Sequence, residues 1–158
     1  ELGGIDLAPG RTGVELNDLD DEEQPVHLKA RGKALAFARR DGDTLAVPAG
    51  PTHKLTADYA SLSQRHYPVD LRALTRKDDE WTSKLPAGMK IVRPARPAQR
   101  DRPVGRGSIT FEETPGKIVV KSSLAFKKAR IAPAEYAAWR AFCEAVDRGF
   151  GQTILVSR

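Results

Sequence analysis

Apolar and polar residues alternate with a period of two in several short stretches of this chain. In VHLKARGKALAF (26–37), Val26 and Leu28 fall on one side of an extended chain, and polar residues fall on the other. That period is typical of a half-buried strand. Asp41-Gly42 follows as a hairpin turn signal, and the letters LAV after it indicate the returning strand.

A second hairpin is predicted over SITFEETPGKIVVKSSLAF (108–126). Ile109 and Phe111 alternate with polar residues before the turn, and apolar residues resume after it. Pro115-Gly116 suits the centre of a type II turn, in which the glycine takes the positive φ. We therefore expect two antiparallel strands joined by a tight turn.

One helix is predicted near the end of the chain, over about 133–148. Pro133 suits the first helical position, where its missing N–H costs no hydrogen bond. Gly149 is expected to end the helix, and QTILV (152–156) is expected to form a final strand. The apolar residues of the helix fall on one stripe at helical spacing: Tyr136, Trp139, Phe142, Cys143 and Val146.

The middle of the chain is less regular. Residues 55–63 fit either one face of a helix or a strand, while the proline in RHYPVDL (65–71) favours an extended chain there. EWTSKLPAGMKIV (80–92) is interpreted as a strand, a turn at 86–88 and another strand. Three prolines within the arginine-rich stretch 93–106 favour a connection over a regular element.

Many short strands separated by glycine and proline turns, with one late helix, indicate the fold class. We expect a mainly β protein, an antiparallel β-sandwich with one amphipathic C-terminal helix and a final strand. A chain of 158 residues is the usual size of one domain. Residues 1–13 are expected to be a linker or a frayed lead-in, and residues 14–158 a single domain.

Composition limits the function without naming it. The chain is 40% hydrophobic and 30% charged, which is ordinary for a folded protein, and no apolar run reaches the roughly 18 residues of a membrane span. The net charge of +5 is uneven, because residues 93–106 hold five arginines and a single acid. That stretch contains no aromatic residue for base stacking, so a solvated loop is favoured and nucleic acid is not expected as a partner. An electrostatic anchor for anionic polymers or lipid head groups stays open as an alternative.

Catalytic chemistry is not indicated by any residue pattern. Cys143, the single cysteine, lies about ten residues into the predicted helix on its apolar stripe, where a buried core residue is favoured over a thiol nucleophile. The histidines His27, His53 and His66 are not spaced as metal ligands and are expected at the surface. The acidic run 17–24 lacks the spacing of a calcium loop. We expect no enzymatic activity, no cofactor and no metal.

Two parts of the sequence together resemble a module of bacterial transglutaminase-like proteins, in which a papain-type domain is flanked by β-rich domains of unknown function. The first combines 59–71 with 80–92, and the second is VVKSSLAFKKARIAPAEYAAWRAFCEAVDRG (119–149). The resemblance extends over about 14–157. In the first part the matching residues are Arg65, Tyr67-Pro68-Val69-Asp70 and Leu85-Pro86-Ala87-Gly88.

The resemblance implies a C-terminal β-sandwich accessory domain, excised from a longer protein that is exported to the bacterial periplasm or cell surface. The chain begins at Glu1 without a secretory signal, which fits such an excised segment. The catalytic Cys, His and Asp of the family belong to its papain-like domain, and no segment here matches that domain. The expected partners are therefore the other domains of the parent chain. An independent binding domain for cell-surface polysaccharide or peptide is the alternative, with Trp81, Tyr59 and Tyr67 as its candidate platform.

Overall fold

The computed structural model describes residues 13–16, 28–31, 37–50, 53–71 and 76–158. The chain divides into two compact units, Glu1–Phe37 and Ala38–Arg158. In the first unit, β1 (Gly13–Leu16) pairs antiparallel with β2 (Leu28–Arg31), which places a strand inside the predicted stretch 26–37. The predicted lead-in apart from Gly13, the acidic run 17–24 and His27 lie outside the described residues. The single domain from residue 14 stays a prediction.

The second unit is mainly β with two four-stranded antiparallel sheets. One sheet has the strand order β6-β10-β9-β8 and the other has the order β3-β4-β12-β7, while β11 and β5 form a separate pair. The predicted mainly β class, with antiparallel sheets, a C-terminal helix and a final strand, is confirmed. The elements in chain order are β3 (Arg39–Asp41), β4 (Thr44–Pro48), α1 (Leu55–Tyr59), β5 (Val69–Asp70), β6 (Arg76–Lys84), β7 (Lys90–Arg93), β8 (Ala98–Arg102), β9 (Gly105–Thr114), β10 (Lys117–Phe126), β11 (Arg130–Ile131), a 3-10 turn (Pro133–Glu135), α2 (Tyr136–Phe150) and β12 (Thr153–Ser157).

Both hairpin turns that the sequence predicts are present, but the strand that pairs with β4 is β3, whereas the predicted outgoing stretch 26–37 contains β2, which pairs with β1. Gly42 has a φ of 59° in the loop between β3 and β4, and Gly116 has a φ of 74° between β9 and β10. These backbone conformations carry no penalty for glycine, which lacks a β-carbon. The turn residues therefore set the register of both strand pairs.

The arginine-rich stretch is not the connection that its prolines suggested. Residues 98–102 form β8, the edge strand that pairs with β9. Pro97 precedes this strand and Pro103 lies in the turn after it, so neither removes a backbone N–H that the strand needs. The prediction failed because proline is excluded from strand interiors and not from their ends.

The segment 80–92 contains the predicted strand, turn and strand, but its two strands belong to different sheets. β6 pairs with β10, whereas β7 pairs with β12. The backbone N–H of Met89 donates to the carbonyl of Pro86, 3.1 Å away, and closes the turn between them. The ambiguous segment 55–63 begins as the short helix α1 and continues without regular structure.

Helix α2 buries the predicted apolar stripe, and all five of its residues are at most 2% exposed. The helix continues past Gly149 to Phe150, and Gly151 follows it, so the predicted end at Gly149 is wrong. A β-carbon on Gly149 would lie 3.2 Å from the β-carbon of Ala98 in β8. A small residue is therefore required at this position because the helix packs closely against the edge strand. Neither described helix is long and apolar enough to cross a membrane.

Candidate interaction surface

Cys143 lies on the buried face of α2, within the core. Its side chain has no exposed surface, and burial, assisted by the nearby charge of Asp147, raises the pKa of the thiol to about 12. A nucleophilic cysteine requires the thiolate, which this environment disfavours at neutral pH. The prediction of a buried helix-face residue is confirmed.

We predict that Cys143 reacts with an aromatic disulfide reagent at pH 8 only when the protein opens. Access then requires unfolding, so labelling of the folded chain should be slower than in denaturant by roughly 10³-fold or more. Absorbance of the released thiol would follow both reactions. Equal rates in buffer and in denaturant would show that the thiol is accessible in the folded protein.

His53 is not the surface residue that its sequence neighbours suggested. Its ring is half-buried and packs on Phe150 with the ring centroids 5.1 Å apart, and Nε2 is buried with no hydrogen-bond partner among the described residues. Burial lowers the pKa of His53 below 6.5, and the charge of Lys77 adds to this effect, while Asp79 and Asp147 oppose it. The residues around His53 come from α2 and β6, which are far from it in the sequence. His66, in contrast, is exposed as the sequence predicted.

The lowered pKa of His53 predicts a loss of stability in mild acid. As pH falls below 6.5, the unfolded chain takes up this proton before the folded chain does, so the free energy of unfolding decreases. Urea titrations between pH 7 and pH 5 should therefore show the wild type losing stability relative to His53→Gln. His66→Gln, at an exposed position, is the matched control. A wild-type curve parallel to that of His53→Gln would contradict this account.

Within the described ranges, no group of three His, Cys, Asp or Glu side chains is arranged to hold a metal ion. A cleft of about 600 Å³ lies beside the turn between β6 and β7 and the turn between β9 and β10. No aromatic side chain lines it, although sugar platforms use such side chains. Its lining residues are Leu85, Met89, Lys90, Ile91, Glu113, Thr114, Pro115 and Gly116.

Large exposed apolar side chains are concentrated in one segment, residues 59–67, which we call the aromatic loop. Tyr59, Leu62 and Tyr67 are exposed by 36%, 51% and 80%. In the rest of the described chain, Val92 is the single other large apolar side chain that is this exposed. Trp81, the third aromatic candidate, is half-buried on β6. Clustered exposed apolar residues commonly mark a protein-binding surface.

Three side chains of α2 hold the aromatic loop in place. The Tyr136 hydroxyl and Nη1 of Arg140 both donate to the carbonyl of Leu62, at 2.8 and 2.9 Å. Nε1 of Trp139 donates to the carbonyl of Tyr59, 3.3 Å away. Residues three and four apart lie on the same side of a helix, which brings these donors to one strip. The backbone of the loop is therefore fixed while Leu62 and Tyr67 face solvent, and the partly exposed ring of Tyr59 packs edge-to-face on Phe126 with the centroids 5.7 Å apart.

The two ends of the loop are secured by further polar contacts. The carboxylate of Asp147 accepts the backbone N–H groups of Leu55 and Thr56, at 2.9 and 2.8 Å, and so caps α1 before the loop. Arg65 lies over the ring of Tyr136, with its guanidinium carbon 5.9 Å from the centroid. A surface that is ordered before binding loses less entropy when a partner covers it. The arrangement is suited to binding.

No curated protein is similar to the chain at a significant level. One similar solved structure is a "putative protease" from Parabacteroides distasonis, with a TM-score of 0.59 and 19% sequence identity. The similarity covers 75% of this chain and 24% of that chain, so this chain spans about a quarter of the longer one. At this identity the likeness shows a shared fold.

A family model also matches most of the chain. Residues 43–156 match DUF3858, described as a domain of unknown function with a solved structure. The matched range begins just before β4 and ends inside β12, so it includes the aromatic loop and all of α2. The chain therefore belongs to the DUF3858 family of domains of unknown function.

Proposed function

We propose that this chain is a non-catalytic accessory domain, which packs through the aromatic loop against a catalytic domain of a longer polypeptide. The observation that carries the proposal is the loop itself, in which the exposed side chains of Leu62 and Tyr67 project from a backbone that α2 holds in place. Tyrosine is frequent among the residues that dominate binding energy at interfaces. Covering this loop would remove from water the apolar surface that the isolated chain leaves exposed.

Two further observations support a place in a longer chain. The similar protein from Parabacteroides distasonis is about four times as long as the part that this chain matches. The sequence resembles the module that flanks papain-type domains in bacterial transglutaminase-like proteins. In this proposal the neighbour is such a papain-type domain, it carries the catalytic Cys, His and Asp, and the whole protein is exported to the periplasm or cell surface.

The proposal predicts that Leu62→Ser combined with Tyr67→Ser weakens binding between this chain and the remainder of the longer protein. The backbone carbonyl of Leu62 makes the anchoring bonds, so changing its side chain leaves the anchor in place. Loss of two apolar anchors should lower the affinity by roughly 10- to 100-fold. Titration calorimetry of the two parts, mixed in trans, would measure this change.

Val92→Ser is the matched control for this experiment, because Val92 is 54% exposed on β7 and lies outside the aromatic loop. Both variants should unfold within about 0.5 kcal/mol of wild type, since surface substitutions rarely cost more. Wild-type affinity in the double variant would sink the proposal, as would an equal loss with Val92→Ser. Hydrolase or transferase activity in this chain alone would also contradict it.

A further inference from the structure

The edge strand β8 presents an unpaired side. It is the last strand of the sheet β6-β10-β9-β8, and within the described part of the chain it pairs with β9 alone. The side chains of Gln99, Arg100, Asp101 and Arg102 are exposed. A strand at the edge of a sheet leaves a row of backbone N–H and C=O groups available for another strand.

Hydrogen bonds from two arginine side chains to carbonyl groups of β8 show which backbone groups of the strand face away from β9. Nη1 of Arg100 donates to the carbonyl of Gln99 at 2.8 Å, and Nη1 of Arg102 donates to the carbonyl of Asp101 at 3.3 Å. In a strand, the N–H and C=O of one residue point to the same side and alternate along the chain. Gln99 and Asp101 therefore each direct a backbone N–H and a backbone C=O away from β9. The side chains of Arg100 and Arg102 bond to the two carbonyls and leave the two N–H groups open.

Positive charge is concentrated on β8 and in the segment that leads into it from Arg93, the last residue of β7. Arg93, Arg96 and Arg100 have no acidic partner among the described residues. The one acid on the strand, Asp101, is paired with Lys127, which holds the pKa of its carboxyl below the usual range. The edge therefore carries several unneutralised guanidinium groups, which suit carboxylates particularly well because they can bind both oxygens.

The segment before β8 is held rigidly. The side-chain amide of Gln152 accepts the backbone N–H of Arg96 at 2.8 Å and donates to the carbonyl of Arg96 at 2.8 Å. The same amide nitrogen donates to the carbonyl of Gly149 at 2.7 Å, which ties the segment to the end of α2. Arg93 and Arg96 line one shallow cleft together with Pro94, Gln152 and Thr153. Two free guanidinium groups are thus placed at the start of the open edge.

We propose that the edge of β8 binds an extended acidic segment of a protein partner, which adds to the sheet as a fifth strand. Arg100 and Arg102 would release the carbonyls of Gln99 and Asp101, whose backbone groups would then pair with the backbone of that segment. Arg96 and the released Arg100 would bind its carboxylates. The outward N–H donors match peptide carbonyls, and the strand lacks the aromatic side chains on which nucleic-acid bases stack. This binding goes beyond the accessory role and does not depend on the aromatic loop.

Two peptides of equal charge test the backbone pairing. A fluorescein-labelled peptide of alternating Glu and Thr can form a strand, whereas alternating Glu and Pro keeps the charge but lacks half of the backbone donors. Fluorescence anisotropy with the full chain in low salt should show binding of the Glu-Thr peptide at least ~10-fold tighter than the Glu-Pro peptide. On binding, the amides of Gln99 and Asp101 should become protected from hydrogen exchange.

Two sets of variants test the strand and the charge separately. Gln99→Pro removes an outward donor without removing a bond to β9, and should abolish the preference for the Glu-Thr peptide. Arg96→Gln with Arg100→Gln should weaken binding of that peptide by ~10-fold or more. The control, Lys84→Gln with Lys117→Gln, makes the same charge change at exposed positions of β6 and β10 and should have little effect.

Three outcomes would overturn the proposal. Equal affinity for both peptides would show a general anion surface, and tighter binding of heparin or duplex DNA than of the Glu-Thr peptide would favour a polyanion. Equal losses in the arginine and lysine double variants would show that only net charge matters. If Gln99→Pro fails to fold, the peptide comparison and the arginine variants still decide the result.

Discussion

Replacing Trp139 with alanine is expected to lower the free energy of unfolding by about 3–5 kcal/mol, the largest effect of any single substitution considered. The side chain has no exposed surface and lies between two other aromatic rings. Its ring centroid is 5.1 Å from that of Phe126 in an edge-to-face contact and 5.8 Å from that of Phe142 in a stacked one. Truncation to alanine would leave a cavity between β10 and α2. These two elements cannot move together far enough to close it.

A second substitution at Trp139 separates the contribution of packing to stability from that of the hydrogen bond. Trp139→Phe retains most of the aromatic contacts and loses the bond from Nε1 to the carbonyl of Tyr59, so its cost should be near ~1 kcal/mol. Urea unfolding followed by circular dichroism would measure both variants. Tyr67→Ala, at a side chain that is 80% exposed, provides the control and should be nearly neutral. A loss below ~1 kcal/mol for Trp139→Ala would contradict the described core.

Gly105→Ala is expected to destabilise the protein by about 1–3 kcal/mol, although alanine is the smallest possible addition. A β-carbon there would lie 2.8 Å from ring carbons Cε1 and Cζ of Phe142 and 3.1 Å from the carbonyl oxygen of Ala125. The first contact is with α2 and the second is with the neighbouring strand β10, so neither neighbour can yield alone. Urea titration of the variant would measure the loss.

A substitution at Phe142 shows whether the contact between Gly105 and α2 causes the loss of stability in Gly105→Ala. Phe142→Leu shortens the side chain that approaches Gly105, so the double variant should lose less stability than the two single losses added together. Residues in direct contact show coupling energies of about 0.5–3 kcal/mol. Strict additivity would mean that α2 does not lie over Gly105 as the structure places it.

The elements that the sequence predicted well are those whose signals are local. The apolar stripe of α2 repeats at helical spacing within fifteen residues, and all of its members are buried as expected. The hairpin at Pro115-Gly116 combines alternation with a turn that requires glycine, and β9 and β10 pair in that register. In both cases the information lies within a few residues of the structure that it specifies.

Pairings between distant segments were not predictable in the same way. β12 lies between β4 and β7, which joins segments from both ends of the second unit in one sheet. No local pattern identifies which strand a given strand will join, and β6 and β7 enter different sheets despite a tight turn between them. The strand β8 was overlooked because its side chains are mostly exposed and show no apolar alternation.

The candidate surface was only partly visible in the sequence. Tyr59 and Tyr67 are possible platform residues from the sequence because they are aromatic, whereas Leu62 lies in the segment 55–63 that fits either a helix or a strand. The position of the loop depends on Tyr136 and Trp139, which bond to it across sequence separations of 74 and 80 residues. Exposure of these apolar side chains is therefore a consequence of tertiary structure, which no local pattern encodes.

Hydrogen exchange measured by mass spectrometry on residues 61–67 would test the proposed function most directly. No backbone N–H of these residues donates a hydrogen bond to another described residue, so their amides should exchange quickly in this chain alone. In the longer polypeptide the same amides should exchange at least ~10-fold more slowly, because a packed neighbour shields them from water. The amides of β10 should be protected in both and serve as the internal reference. Equally fast exchange of residues 61–67 in the longer polypeptide would contradict the account, since the aromatic loop would then be uncovered.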